Sequence, residues 1–226
     1  MSSLSPALYR FCRGILRHTF ARLHPVRVEG LEHLPARGPA IICPKHQRWE
    51  DIVSVALALP PLLHYIAKAE LFVLPLQREF LKAVGGVPVD RQNPRATLSS
   101  FRQLLPLLQQ QAYVVLFPEG TYVRGRVGDG KHRLVQMLLK LQKRHGLTPL
   151  PFVPVGLSYG PKPRSTGWEV MVRVGQPLSA PGPQEAVAFT RAIMEKIALL
   201  CEKSAESGET APEAASRALL RGYGEN

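Results

Sequence analysis

The sequence predicts a single α/β domain with a mixed, largely buried sheet flanked by helices, preceded by a basic amphipathic N-terminal helix. Three observations predict it. Short apolar runs such as Ala40-Ile41-Ile42-Cys43 and Val114-Val115-Leu116-Phe117 alternate with longer stretches of helical spacing. Proline and glycine punctuate the junctions. At 226 residues, 45% of them hydrophobic, the chain suits one core, and no internal repeat points to a solenoid.

The elements follow in order. Residues 6–23 read as a helix opened by Pro6 after Ser5. Leu4, Leu8, Phe11 and Ile15 form one stripe and Arg10, Arg13 and Arg17 another. That pattern suits a lipid interface or a helix packed on the domain with a solvated basic face. Val26–Val28 is a short strand between Pro25 and Gly30. Ala40–Pro44 is a buried strand, Lys45–Glu50 a polar turn, and Asp51–Leu59 a helix stopped by Pro60-Pro61. His64–Lys68 is a strand, Phe80–Val84 a helix ending at Gly85-Gly86, and Val87–Val89 an extended piece. Residues 94–111 form a helix opened by Pro94, Tyr113–Phe117 a strand, and residues 130–145 a helix ending at Gly146. Phe152–Ser158 and Trp168–Val174 are strands, and residues 183–203 a helix opened by Pro183. The organisation is therefore a surface helix over 1–24, a core domain over 25–203 and a tail over 204–226. The tail reads as mobile, with a short helix near Pro212–Leu220.

The formal net charge is +12, a field that draws nucleic acid, an anionic membrane surface, or phosphorylated and CoA-type ligands. Cys12, Cys43 and Cys201 are odd in number and lack CxxC spacing, which argues against a disulfide framework or a cysteine zinc site and suits a reducing compartment. No run of 18 apolar residues predicts a membrane span, and the N-terminus lacks a secretory pattern, so the expected location is monotopic, on the cytoplasmic face of a membrane.

Four segments sit where strands hand over to loops or helices, the usual place for ligands in open α/β sheets. In His46-Gln47-Arg48-Trp49-Glu50-Asp51 the imidazole and the carboxylate meet only if His46 lies in the turn and Asp51 in the first helical turn. The carboxylate then fixes the tautomer and leaves the other ring nitrogen to take a proton from a hydroxyl. Gly86-Val87-Pro88-Val89-Asp90-Arg91 ends in an arginine whose fork suits phosphate. Val114 to Thr121 is a strand ending in Pro118-Glu119-Gly120-Thr121, where a Glu can accept hydrogen bonds from hydroxyls. Phe152 to Ser158 is either a plain buried strand or one wall of an acyl pocket.

Taken in order, these segments resemble the glycerolipid acyltransferase family, typified by 1-acylglycerol-3-phosphate acyltransferases. The family's Asn-His-x4-Asp, Gly-…-Asp-Arg, Phe-Pro-Glu-Gly-Thr-Arg and Val-Pro-Val blocks fall at 45–51, 86–91, 117–121 and 153–155, and Ala67 to Phe72 matches its Ala-Lys-x-Glu-Leu stretch. The resemblance covers roughly residues 25–180. It implies that His46 is the general base and Asp51 its orienting partner, and that the acceptor hydroxyl attacks the thioester of acyl-CoA or acyl-carrier protein with no acyl-enzyme. It implies that Arg91 binds the acceptor's phosphate and that Glu119, Gly120 and Thr121 shape the acceptor site, with no metal and no bound cofactor. The expected partners are an anionic membrane surface, a lysolipid acceptor and the thioester donor.

Three positions depart from the family pattern. Lys45 replaces the Asn, Arg48 replaces a frequent Ser, and Tyr122 replaces the Arg after Glu-Gly-Thr, with Arg124 and Arg126 as nearby substitutes. Lys45 and Arg48 add positive charge that can grip the phosphates of donor or acceptor. Lysophosphatidic acid is the leading acceptor, with a lyso-aminolipid or glycolipid as the alternative. A non-catalytic basic membrane-binding protein is the competing class. Nothing matches a nucleic-acid module, so no nucleic-acid partner is expected. A metal hydrolase would have to build its site from His46, Asp51 and Glu119, a sparse ligand set.

Overall fold

The computed structural model describes residues 4–90, 100–161 and 168–208, with side chains as far as Glu202. Seven strands form one mixed sheet: β1 (Val26–Glu29), β2 (Ala40–Pro44), β3 (Leu63–Lys68), β4 (Gly86–Val89), β5 (Tyr113–Val115), β6 (Phe152–Pro161) and β7 (Trp168–Val174). Their spatial order is β1-β7-β6-β2-β5-β3-β4. Every pairing is parallel except β6 with β7. The predicted mixed α/β sheet is therefore present, and the two edges are four-residue strands, short enough to limit edge pairing.

Successive strand residues point to opposite faces, so each central strand supplies two cores. Ile42, Val115, Val153, Val155 and Leu157 pack on Val55 and Ala58 of α3 (Glu50–Ala58) and on Leu59, which caps its end. Ile41, Cys43, Val114 and Phe152 pack on the opposite layer. That layer is α5 (Leu104–Gln109), α6 (His132–Arg144) and α7 (Ala186–Gly208). Burial on both faces is why these strands read as near-continuous apolar runs. Gly156 sets how closely α7 approaches: a Cβ there would stand 2.6 Å from Leu200 Cβ and 2.8 Å from its carbonyl carbon.

Several boundaries differ from expectation. The N-terminal helix breaks at Thr19 into α1 (Pro6–His18) and α2 (Phe20–Leu23). The Thr19 hydroxyl donates to the Ile15 carbonyl, the local bond by which Thr competes with helix propagation. The helix expected at Phe80 starts earlier, as α4 (Pro75–Ala83), with Pro75 in its first turn. Strand β6 continues past Ser158 to Pro161, because its outer half pairs with β7. Within the expected helix 94–111, α5 spans Leu104–Gln109, and Pro106 is tolerated within its first turn. Helix α7 runs to Gly208, into the stretch assigned to the tail. Residues 91–99 and the expected helix near Pro212–Leu220 lie outside the described residues.

Helix α1 is tied into the domain. Tyr9 is buried, Ser5 N donates to Ala83 O, and the Arg13 guanidinium donates to the carbonyls of Leu59 and Pro60 at 3.3 and 2.8 Å. Arg13, on a stripe that the sequence reads either as facing headgroups or as a solvated basic face, instead caps the end of α3. Phe11 and Ile15 point outward. Among the described residues no helix is long and apolar enough to cross a membrane.

Candidate active site

Strands β2, β5 and β6 are parallel neighbours, so their C-terminal ends open onto one edge of the sheet. The loop after β2 carries Lys45 to Trp49, the loop after β5 carries Phe117 to Gly128, and β6 runs on beside them. Lys45 N donates to Val155 O and Gln47 Nε2 to Leu157 O, which lays the first loop along β6.

Glu119 ties the two loops together. Its carboxylate, 1% exposed, accepts from Lys45 Nζ at 2.8 and 3.0 Å, from His46 N at 2.7 Å and from Gly128 N at 2.7 Å. Lys45, 3% exposed, also donates to Val123 O at 2.6 Å and His46 O at 3.3 Å. Two sequence expectations are corrected here. Lys45 does not present its charge to phosphate, because four acceptors enclose the ammonium. Glu119 does not offer a carboxylate to an acceptor hydroxyl, because three N–H groups occupy it. A buried charge persists only when paired and hydrogen-bonded, and these two satisfy each other.

His46 and Asp51 meet as the spacing required. His46 lies in the turn and Asp51 in the first turn of α3, fully buried. Asp51 Oδ2 accepts from His46 Nδ1 at 3.0 Å, Gln47 N at 2.6 Å and Arg48 N at 2.8 Å. A carboxylate only accepts, so the neutral ring carries its proton on Nδ1 and Nε2 is the basic nitrogen. Aromatic rings hold the imidazole: Phe117 stacks on it with centroids 3.8 Å apart, and Tyr122 lies tilted at 4.4 Å. Gly120, at φ 69°, makes the left-handed turn that carries Tyr122 there, a turn glycine adopts without strain. Thr121, Arg124 and Arg126 are exposed. Arg91 lies outside the described residues.

Arg48 stands over the ring of Tyr159, 4.2 Å from its centroid, and 5.5 Å from that of Trp168. Tyr159 went unnoticed in the sequence, yet its hydroxyl donates to Asp51 Oδ1 at 2.5 Å. A signal existed. Val153, Val155 and Leu157 alternate onto the α3 face, and Tyr159 is the next position on it. Burial, followed by the Asp51 charge, pushes the Tyr159 phenol far above its ordinary value, so it stays a donor. Cys43 is fully buried and burial pushes its thiol up, away from the thiolate a nucleophile needs. Among the described residues no group of three or more His, Cys, Asp or Glu is placed to hold a metal.

A family model described as Acyltransferase matches residues 25–158, the stretch that contains β1 through most of β6 with His46, Asp51, Lys45 and Glu119, and stops just before Tyr159. The chain belongs to the acyltransferase family. Among similar proteins, the 1-acyl-sn-glycerol-3-phosphate acyltransferase of Bacillus subtilis is 31% identical over 200 residues, covering 84% of this chain and 95% of that one. A chloroplastic 1-acyl-sn-glycerol-3-phosphate acyltransferase of Arabidopsis thaliana is 31% identical over 154 residues, 67% of this chain and 41% of that one. The fold also matches the crystal structure of the 1-acyl-sn-glycerophosphate acyltransferase PlsC from Thermotoga maritima, with a TM-score of 0.65 and 21% identity over 86% of this chain and 78% of that one. The acyltransferase fold thus comprises the seven-stranded mixed sheet, and the His-x4-Asp turn sits at its C-terminal edge.

Proposed function

We propose that this acyltransferase moves a fatty acyl group from acyl-CoA or acyl-carrier protein to the free hydroxyl of 1-acylglycerol-3-phosphate, giving phosphatidic acid for phospholipid biosynthesis. The observation that carries this reading is the His46–Asp51 pair, with Nδ1 committed to the carboxylate and Nε2 left basic at a partly open edge. Nε2 takes the proton as the acceptor oxygen attacks the thioester carbonyl, and Asp51 stabilises the imidazolium that forms. The tetrahedral adduct collapses, the thiolate leaves, and the imidazolium returns the proton to it. No acyl-enzyme is needed. Arg48, whose guanidinium carbon stands 4.2 Å from the Tyr159 ring centroid and 5.5 Å from that of Trp168, is a cation beside the pair that suits the acceptor's phosphate together with Arg91, to which the family resemblance gives that role. The relatives named for this acceptor support the choice. The test is product analysis by mass spectrometry. Phosphatidic acid from lysophosphatidic acid with either donor supports the reading, and acylation of lyso-aminolipids or glycolipids alone replaces the acceptor.

The lipid acceptor places the enzyme at a membrane surface. Phe11 and Ile15 on α1 are 65% and 48% exposed, with Arg10 and Arg17 beside them, and Trp49 and Ile52 are exposed near the site. This composition suits an interfacial helix and an apolar approach for the acyl chain. Changing Phe11 and Ile15 together to Glu should weaken binding to anionic vesicles by more than tenfold, since each apolar side chain contributes about 1.5–3 kcal/mol on burial. The melting temperature should hold, because neither side chain is in the core. Unchanged vesicle binding would remove α1 as the membrane contact. Truncating residues 1–23 is a poorer test, because Tyr9 and Arg13 hold the domain.

A further inference from the structure

We propose that Tyr159 is a positioning residue for the His46–Asp51 pair, holding the carboxylate oxygen that the histidine does not use. The inference rests on the reading of His46 as the base.

The two oxygens of Asp51 are held differently. Oδ2 is gripped by His46 Nδ1 and by two backbone N–H groups of its own loop. Oδ1 is held from across the sheet edge by the Tyr159 hydroxyl. That bond fixes the carboxylate plane, and the plane aims Oδ2 at Nδ1. The loop bonds alone leave the carboxylate free to rock about Oδ2. Tyr159 is itself rigidly seated. It lies on β6, paired in register with Val170 of β7, and its ring meets Trp168 edge-on with centroids 5.1 Å apart. Trp168 in turn stacks on His24 at 3.6 Å and meets Phe20 of α2 edge-on. A chain of packed rings therefore braces the catalytic carboxylate against α2 and His24 after it.

The bond also has an electrostatic consequence. A donor on Oδ1 draws negative charge away from Oδ2 and so limits how strongly Asp51 holds a proton on the imidazole. The charged groups facing this carboxylate are His46 and Arg48, the latter stacked over the Tyr159 ring. Removing the hydroxyl concentrates charge toward His46.

Tyr159→Phe is the discriminating variant, since it keeps the ring that seats Arg48 and deletes only the donor. Its kcat should fall about tenfold, the scale of an outer-layer hydrogen bond to a catalytic group. The KM for lysophosphatidic acid should stay within twofold of wild type. The acid limb of the pH–rate profile should move to higher pH, and the Nδ1 proton resonance of His46 should move downfield. A fall in kcat without either shift would mean a merely structural role and overturns the proposal, as does a wild-type kcat. The resonance reads the Tyr159–Asp51–His46 linkage whether or not any acceptor is turned over. A downfield shift in a protein inactive with every lipid acceptor would therefore support the linkage while sinking the acyl-transfer reading, and an unshifted resonance overturns the linkage.

Discussion

Lys45→Met should destabilise the protein by about 3–5 kcal/mol, the usual cost of removing one partner of a buried ion pair. At a few degrees per kcal/mol for a chain this size, the melting temperature drops by about 10 °C. The cause lies in what remains. Glu119 keeps its negative charge at 1% exposure, with only the His46 and Gly128 N–H groups to compensate it. Glu119→Gln strands the Lys45 ammonium in the same way. The double variant Lys45→Met/Glu119→Gln should lose markedly less than the sum of the two, because it buries no net charge. Thermal or denaturant unfolding of the four proteins gives the coupling directly. Additive losses, or a Lys45→Met protein as stable as wild type, would contradict the pairing. Activity should fall with stability in both single variants, because Glu119 also holds the His46 backbone N–H.

Asp51→Asn should lower kcat by about 10²-fold, within the range general-base help contributes, and Asp51→Ala should cost more. The difference follows from the donors around the group. Three N–H groups converge on Oδ2, so an amide nitrogen cannot sit there, and the Asn oxygen must take that place. Its NH₂ then faces Tyr159, whose hydroxyl can turn to accept. The histidine tautomer survives and only the charge supporting the imidazolium is lost. Alanine removes the acceptor altogether, freeing the ring and leaving the Gln47 and Arg48 N–H groups unpaired, with a further cost in stability. Steady-state kinetics with a melting curve for each variant checks this order. Asn falling as far as Ala would contradict the placement of the amide.

The strands and the His46–Asp51 turn were legible because both are local. The spacing of those two residues, with a turn before a helix, already fixed how they meet. The Lys45–Glu119 pair was not legible. The residues are 74 positions apart and become neighbours because β2 and β5 lie side by side, an order that periodicity does not carry. Without the order, a lysine and a glutamate at strand ends read as ligand-binding groups, and burial made them partners instead. Tyr159 was missed because the apolar alternation fades at Ser158, whereas the β6–β7 hairpin extends the strand to Pro161. The helix expected at Phe80 starts at Pro75 because a proline, which stops a helix from within, is well placed as its first residue. Arg13 was placed with its exposed neighbours on helical spacing, which does not reveal the Pro60 carbonyl waiting beneath it.

Release of free thiol from acyl-CoA, followed with and without lysophosphatidic acid for wild type and His46→Ala, tests most directly whether His46 drives acyl transfer. That release should depend on the acceptor in wild type and fall by about 10²-fold or more in the variant. Release equal in the two proteins, or indifferent to every lysolipid offered with either thioester donor, would contradict that role and leave a basic membrane-surface protein as the better description.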